Sequence, residues 1–384
     1  MNTSLWLTPL LCGLLVSSGG LPSLAQDAPA GRDARLQRAL RQYPEADTNK
    51  DGVLSEAEAR AFLEKMGGKR PARAAARPTA PAPDAPADAA KAQPSAGPAP
   101  TFADVAYGPH ARNKLDFWKA RSDAPAPVVV FIHGGGFKAG DKSKVRGDRI
   151  LQQCLDAGVS FAAINYRYRT DTPIQDVLRD CARAIQFIRS KAGEWNVDKA
   201  RIASYGGSAG AGASLWLAFH DDLADPGSAD PVLRESSRLS CAGATACQFS
   251  YDIFKWAELF GGAAAKYQEP DAVWPSFYGL KTEEELRGPV GAKWRADCDM
   301  HGLISKDDPP VFLSTSQPGG EVQNRGHLLH HPKHAEAIWK RCRETGLPAL
   351  ANLPGLGIKP GPDDPQDLRA FLFKHLRVGA AAAQ

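Results

Sequence analysis

A chain of 384 residues sets 47 Lys and Arg against 43 Asp and Glu, for a formal charge of +4, and is 43% hydrophobic. That balance excludes wholesale disorder and a basic stripe for nucleic acid, and no apolar run reaches the ~18 residues needed to span a bilayer. Residues 71–100 stand apart, with 13 Ala and 8 Pro. Pro fixes φ and removes a donor while Ala buries little area, so this tract predicts a semi-extended spacer. The expected layout is a leader over 1–25, a small module over 26–67, a spacer over 68–100 and a large domain over 101–379.

The segment Leu5–Val16 is almost wholly apolar and is followed by Ser-Ser-Gly-Gly, then Ser23-Leu24-Ala25. Small residues at 23 and 25 predict a secretory signal cut after Ala25. Export to the periplasm, the cell surface or the medium is the expectation. Cleavage leaves Cys154, Cys181, Cys241, Cys247, Cys298 and Cys342. Their even number permits full disulfide pairing in an oxidising compartment, and free buried thiols are the alternative.

The run Asp47-Thr48-Asn49-Lys50-Asp51-Gly52-Val53-Leu54-Ser55-Glu56-Ala57-Glu58 offers oxygen donors at alternate positions. Asp47, Asn49 and Asp51 present side-chain oxygens, Val53 its carbonyl, Ser55 a hydroxyl and Glu58 a chelating carboxylate. Gly52 supplies the sharp turn. This is the spacing of an EF-hand calcium loop, a site for Ca²⁺ with a structural role. Leu36, Leu40 and Tyr43 before it, and Phe62, Leu63 and Met66 after it, recur at helical spacing. Such loops usually pair, which leaves a second copy of the chain as a candidate partner. A lone site predicts weak affinity, on the order of 10⁻⁴–10⁻³ M.

In the large domain, Lys114–Trp118 alternates like a strand. Val128–Ile132 and Phe161–Tyr166 are short continuous apolar runs, as in strands buried on both faces. Ile174, Val177, Leu178, Cys181, Ile185 and Ile188 mark one face of a helix. Further strands are expected at Arg201–Tyr205, Cys241–Phe249, Val311–Thr315 and Ala349–Leu353, with helices from Ala209, over 333–345 and over 366–376. Alternation of this kind predicts a mostly parallel α/β sheet covered on both faces.

Two motifs carry chemistry. Gly206-Gly207-Ser208-Ala209-Gly210 follows a strand and opens a helix, the context in which a serine hydroxyl is presented as a nucleophile at the carboxyl edge of a sheet. His133-Gly134-Gly135-Gly136-Phe137 follows an earlier buried strand. The amides of Gly135 and Gly136, with that of Ala209, predict a hole for a developing oxyanion. His133 is read as a brace for that loop.

With Gly140-Asp141 and Asn165-Tyr166-Arg167, these motifs make residues 101–379 resemble an α/β-hydrolase. The similarity is to hormone-sensitive-lipase-like carboxylesterases and to bacterial feruloyl or acetyl-xylan esterase-like enzymes. The resemblance implies that Ser208 attacks an ester carbonyl to form an acyl-enzyme, with a small ester or an acylated polysaccharide as substrate and no cofactor in the ester chemistry.

The same resemblance implies a histidine after the last strand, yet none lies between His334 and His375. His327, His330, His331 and His334 cluster instead in the loop after the Val311–Thr315 strand. His330 or His331 is the candidate base, and Glu321 or Asp252 the candidate acid. Helix capping by these histidines and a transition-metal site are the alternatives. An aromatic-rich insertion near 250–308 predicts a lid. The competing function is an impaired hydrolase fold that binds ligands in a calcium-dependent way.

Overall fold

The structure, a computed structural model, describes residues 46–55, 57–58, 97–269 and 273–379. The expected signal at 1–25, the helical flanks of the calcium loop and the spacer up to residue 96 lie outside the described residues. The chain divides into two compact units, Met1–Ala82 and Pro83–Gln384. Among the described residues, no helix is long and apolar enough to cross a membrane.

The larger unit is built on β1 (Phe102–Ala106), β2 (Lys114–Trp118), β3 (Ala126–Ile132), β4 (Ser160–Ile164), β5 (Val197–Gly207), β6 (Cys241–Thr245), β7 (Val311–Ser314) and β8 (Ala349–Asn352). They form an eight-stranded sheet in the order β1-β2-β4-β3-β5-β6-β7-β8. The β1–β2 and β2–β4 pairs are antiparallel, and every other pair is parallel. Six helices matter for the site: α1 (Arg149–Asp156), α2 (Ile174–Ser190), α3 (Ala209–Phe219), α4 (Arg325–His330), α5 (Pro332–Thr345) and α6 (Leu368–His375).

The two faces of β3 show why the apolar runs are continuous. Val128, Val130 and Ile132 pack with α2 and α3 residues such as Ile185 and Leu215, while Val129 joins Leu151 of α1 and Phe371 of α6. A strand covered on both sides has no position for a polar side chain, so the period-two signal disappears. Parallel register then aligns the strand ends. Ile132 sits beside Gly206, Gly207 beside Thr245, and Thr245 beside Ser314. The loops leaving β3, β5, β6 and β7 therefore emerge along one edge.

Several expectations need correction. Strand β1 was not anticipated, because its five residues are mostly exposed and carry no apolar alternation. The sixth strand ends at Thr245 instead of Phe249, because Ala246 turns the chain with φ 51°. All six cysteines are free and buried, so full pairing does not occur. The segment expected as a lid does hold short helices, from Lys255–Phe260 through Met300–Leu303. Its Trp256, Phe277 and Tyr278 are buried and belong to the main core.

Candidate active site

Strand β5 delivers Ser208. The chain turns into α3 with Ser208 at φ 53° and ψ −120°, a conformation that strains any residue bearing a Cβ. The Ser208 amide donates to the Thr245 carbonyl at 2.9 Å, and its own carbonyl accepts from the Gly212 amide at 3.0 Å. Added Cβ atoms at Gly206 and Gly210 would lie 2.5 Å and 2.0 Å from the Ile132 carbonyl oxygen. Only glycine lets α3 press this closely on β3, and that approach presents the Ser208 hydroxyl at the sheet edge.

The loop after β3 lies beside it. Gly135, Gly136 and Phe137 take φ values of 116°, 59° and 58°, and a Cβ on Gly134 would sit 2.6 Å from the Gly207 carbonyl oxygen. Gly135 and Gly136 are exposed. Among the described residues, no hydrogen bond occupies the Gly135, Gly136 or Ala209 amide. Three donors thus stand open on loops that flank Ser208.

The loop is braced from behind. Asn165 donates to Asp141 at 2.7 Å and accepts from the Lys142 amide at 2.7 Å. Arg112 donates to the Tyr166 and Gly140 carbonyls at 2.8 Å and 3.2 Å, and the Tyr168 hydroxyl to Gly140 at 2.7 Å. His133 is fully buried, and its Nδ1–H reaches the Gly134 carbonyl at 2.8 Å. Burial pushes its imidazole down to about 4, so it stays neutral at neutral pH.

Of the clustered histidines, His330 meets the serine: Ser208 Oγ and His330 Nε2 are 2.9 Å apart. His330 Nδ1 lies 3.0 Å from the Gly326 carbonyl, one helical turn back on α4. A carbonyl only accepts, so Nδ1 carries the proton there and Nε2 offers its lone pair to the serine hydroxyl.

The other three histidines carry the opposite tautomer. His327 Nδ1 accepts from the Gln323 amide at 3.3 Å, and its Nε2–H reaches the Pro318 carbonyl at 2.9 Å. His331 Nδ1 caps α5 by accepting from the Lys333 amide at 3.1 Å, while its Nε2–H meets the Gly320 carbonyl at 3.1 Å. His334 accepts from the Phe249 amide at 3.3 Å and donates to the Leu328 carbonyl at 2.9 Å. Burial pushes the His334 imidazole down to about 3. With both nitrogens of each ring spent on backbone, His331 is a cap and not a partner of Ser208. Among the described residues, no group of three His, Cys, Asp or Glu side chains could hold a metal ion.

Neither expected acid reaches His330. Asp252 is buried against Arg295, whose Nη1 lies 3.2 Å and 3.1 Å from its two carboxylate oxygens. Glu321 is exposed and makes no hydrogen bond among the described residues. The apolar contact Phe137–Tyr251, with ring centroids 5.5 Å apart, joins the loop after β3 to the insertion.

The calcium-loop residues lie in the smaller unit. Asp47 Oδ2 accepts from the Gly52 amide at 2.9 Å, Asn49 Oδ1 from Asp51 at 2.9 Å and Asp51 Oδ1 from Val53 at 2.8 Å. Leu54 is buried. Glu58 closes the loop by accepting from the Thr48 amide at 3.1 Å and the Ser55 hydroxyl at 2.7 Å. These bonds, Ser55 first, hold its carboxyl down at about 2. Asp47 Oδ1 is buried with no hydrogen-bond partner among the described residues. The donor set and that orphan oxygen fit a hard cation, although the three acids alone do not form a metal-holding group.

Sheet order, flanking helices and a serine at the tip of β5 define the α/β-hydrolase architecture. A family model described as BD-FAE matches residues 115–240. Over 137 residues the chain is 31% identical to a "Probable isoprenylcysteine alpha-carbonyl methylesterase" of Arabidopsis thaliana, covering 35% of this chain and 28% of that one. It is 27% identical over 219 residues to the "Probable carboxylic ester hydrolase LipM" of Mycobacterium tuberculosis, covering 55% and 46%. The chain thus spans less than half the length of either relative. A "Truncated form of carbohydrate esterase from gut microbiota" shares the fold with a TM-score of 0.54 at 18% identity, over 72% of this chain and 96% of that one. A "Bifunctional GH43-CE" of Bacteroides eggerthii gives 0.52 at 19% identity, over 72% and 38%.

Proposed function

We propose that the chain is an exported carboxylic ester hydrolase that works through Ser208. The observation that carries this reading is the 2.9 Å contact between Ser208 Oγ and the unprotonated Nε2 of His330. Relatives described as esterases support it. In the proposed reaction Oγ attacks the ester carbonyl as its proton passes to His330 Nε2. The Gly135, Gly136 and Ala209 amides receive the negative charge on the carbonyl oxygen. Collapse expels the alcohol, which takes the proton from His330, and leaves an acyl-Ser208. Water, deprotonated by His330, then releases the carboxylic acid and restores the serine.

Gly326 gives His330 a fixed tautomer without requiring the acid position expected of the fold. His330 itself supplies the base, so the absence of a histidine from the loop directly after β8 does not argue for an inert protein. The carbohydrate esterases that share the fold make an acylated polysaccharide a reasonable substrate alongside small esters. Ca²⁺ would be held by Asp47, Asn49, Asp51, Val53, Ser55 and Glu58 and would stiffen the smaller unit.

The test is labelling by a fluorophosphonate together with hydrolysis of short-chain aryl esters, for wild type and Ser208→Ala. Ser208-dependent labelling and turnover support the proposal; the absence of both rejects it. Calcium titration of wild type and Glu58→Gln checks the loop, whose assignment fails if the two bind equally.

A further inference from the structure

Three cations stand around the mouth of the site on three different segments. Lys138 is the exposed residue after Phe137 in the loop that follows β3. Arg169 is half-buried; its amide donates to the Phe137 carbonyl at 2.8 Å and its Nε to the Gly136 carbonyl at 3.3 Å. Arg325 opens α4, the helix that ends at His330. Its guanidinium is ion-paired with Glu269 of the insertion.

Among the described residues the charge here is unbalanced. Arg169 has no ion pair among the described residues, and its outer face rests on the ring of Phe277 at 5.4 Å. Partial desolvation of its amine, and then the Arg169 and Arg325 charges, hold Lys138 below the usual lysine range. Burial and Arg325 do the same to Arg169. Among the described residues, Glu269 is the acid that opposes these cations, and it is already engaged by Arg325. A half-dehydrated guanidinium without a carboxylate is costly to keep in a fold, and an anion brought in by a ligand would relieve that cost.

We propose that Lys138, Arg169 and Arg325 form a specificity subsite for a carboxylate carried by the ester substrate. The inference rests on the esterase reading and deepens it, by naming acidic esters as the preferred class. Arg169 is the central member, because its Nε anchors it to Gly136 while neither terminal nitrogen makes a hydrogen bond among the described residues. A guanidinium so placed can grip a carboxylate with two parallel hydrogen bonds, while Lys138 and Arg325 add longer-range attraction.

The carboxylate can sit on either side of the scissile bond, and two substrate pairs separate the cases. The acyl-side pair is mono-4-nitrophenyl adipate against 4-nitrophenyl hexanoate. The alcohol-side pair is the acetate of 4-hydroxybenzoate against that of 4-hydroxybenzamide. The readout is the anionic-to-neutral ratio of kcat/KM within one preparation, which does not depend on how much protein is correctly folded.

In wild type at low salt that ratio is expected to exceed the ratio in Arg169→Gln by ~10-fold for at least one pair, with smaller falls in Lys138→Gln and Arg325→Gln. Half-molar salt is expected to shrink the wild-type ratio, Arg169→Lys to keep part of it, and Arg169→Glu to push it below that of Arg169→Gln. Ratios that do not change across the variants in either pair overturn the subsite while leaving the esterase intact. Loss of Ser208-dependent turnover on the neutral esters as well would overturn the parent proposal.

Discussion

Tyr166 stacks its ring on the His133 imidazole with centroids 4.2 Å apart and donates its hydroxyl to the His133 carbonyl at 2.6 Å. These residues lie just beyond adjacent strands, β3 and β4, so one side chain ties the start of the glycine loop to the segment leaving the neighbouring strand. His133 in turn leaves no room behind it, since a Cβ on Gly140 would lie 2.4 Å from its Nδ1. Tyr166→Phe keeps the stacked ring and deletes only the donor. It is expected to cost ~1 kcal/mol of stability in chemical denaturation and to lower kcat more than it changes KM. An unaltered kcat would mean that the loop holds its shape without this bond.

The opposite tautomers of His330 and His331 predict opposite mutant signatures. Replacing His330 by Ala removes the proton acceptor of Ser208 and is expected to lower kcat/KM by roughly 10³-fold or more, close to the effect of Ser208→Ala. The double variant is expected to be scarcely worse than either single one, because the two groups act as a unit. His331→Ala removes the α5 cap and is expected to cost ~1 kcal/mol of stability with little change in rate per folded molecule. Melting temperature and kcat, measured on wild type and the four variants, separate the two roles.

Glycine loop geometry gives a third prediction. Gly134→Ala would place a methyl group 2.6 Å from the Gly207 carbonyl oxygen and 3.5 Å from the Ser208 Cβ. Neither backbone segment can retreat easily, because Gly207 is paired with Thr245 in the sheet and the Gly134 carbonyl is held by His133 Nδ1. The variant is expected to fold but to lose about 10²-fold in kcat on aryl acetates, as removal of an oxyanion donor would. Single-turnover kinetics locate the loss in acylation, and a loss confined to KM would contradict the geometry.

How far these residues could be read from the chain follows from what each reports. Strands β3 and β4 were legible because burial on both faces forces an unbroken apolar run. The glycines at 134–136, 206 and 210 were legible because close backbone approach admits no other residue. Strand β1 was not, since an exposed edge strand is defined by its pairing with β2 and not by its own side chains. The choice among the histidines also lay outside the sequence. His327 and His331 lie one turn apart with rings 4.7 Å from each other, while His330 is turned toward Ser208. That phase depends on Asn324 capping α4 through the His327 amide, a contact with no spacing signature. Asp252 looked available in the chain because Arg295, its partner, is 43 residues away.

The buried imidazoles make folding sensitive to acid, with a sign that can be worked out. His133 falls from 6.5 to about 4 and His334 from 6.5 to about 3, in both cases first through burial. Between pH 6.5 and those values the unfolded chain binds protons that the folded chain refuses. The stability these groups provide is therefore complete above pH 6.5 and is lost as pH falls toward 4 and 3. His220 acts in the other direction. Burial opposes its proton, but the hydrogen bonds to Asp297 and to the Asp221 carbonyl, with the Asp297 charge, together outweigh that and raise it, so its contribution is present below its unfolded value and lost at higher pH. Urea denaturation from pH 7.5 to 4.5 is expected to show stability falling with pH. In His334→Gln the slope near pH 5 is expected to decrease by about one proton, whatever the variant costs at pH 7.5. Parallel curves for the two proteins would show that His334 takes up its proton alike in both states.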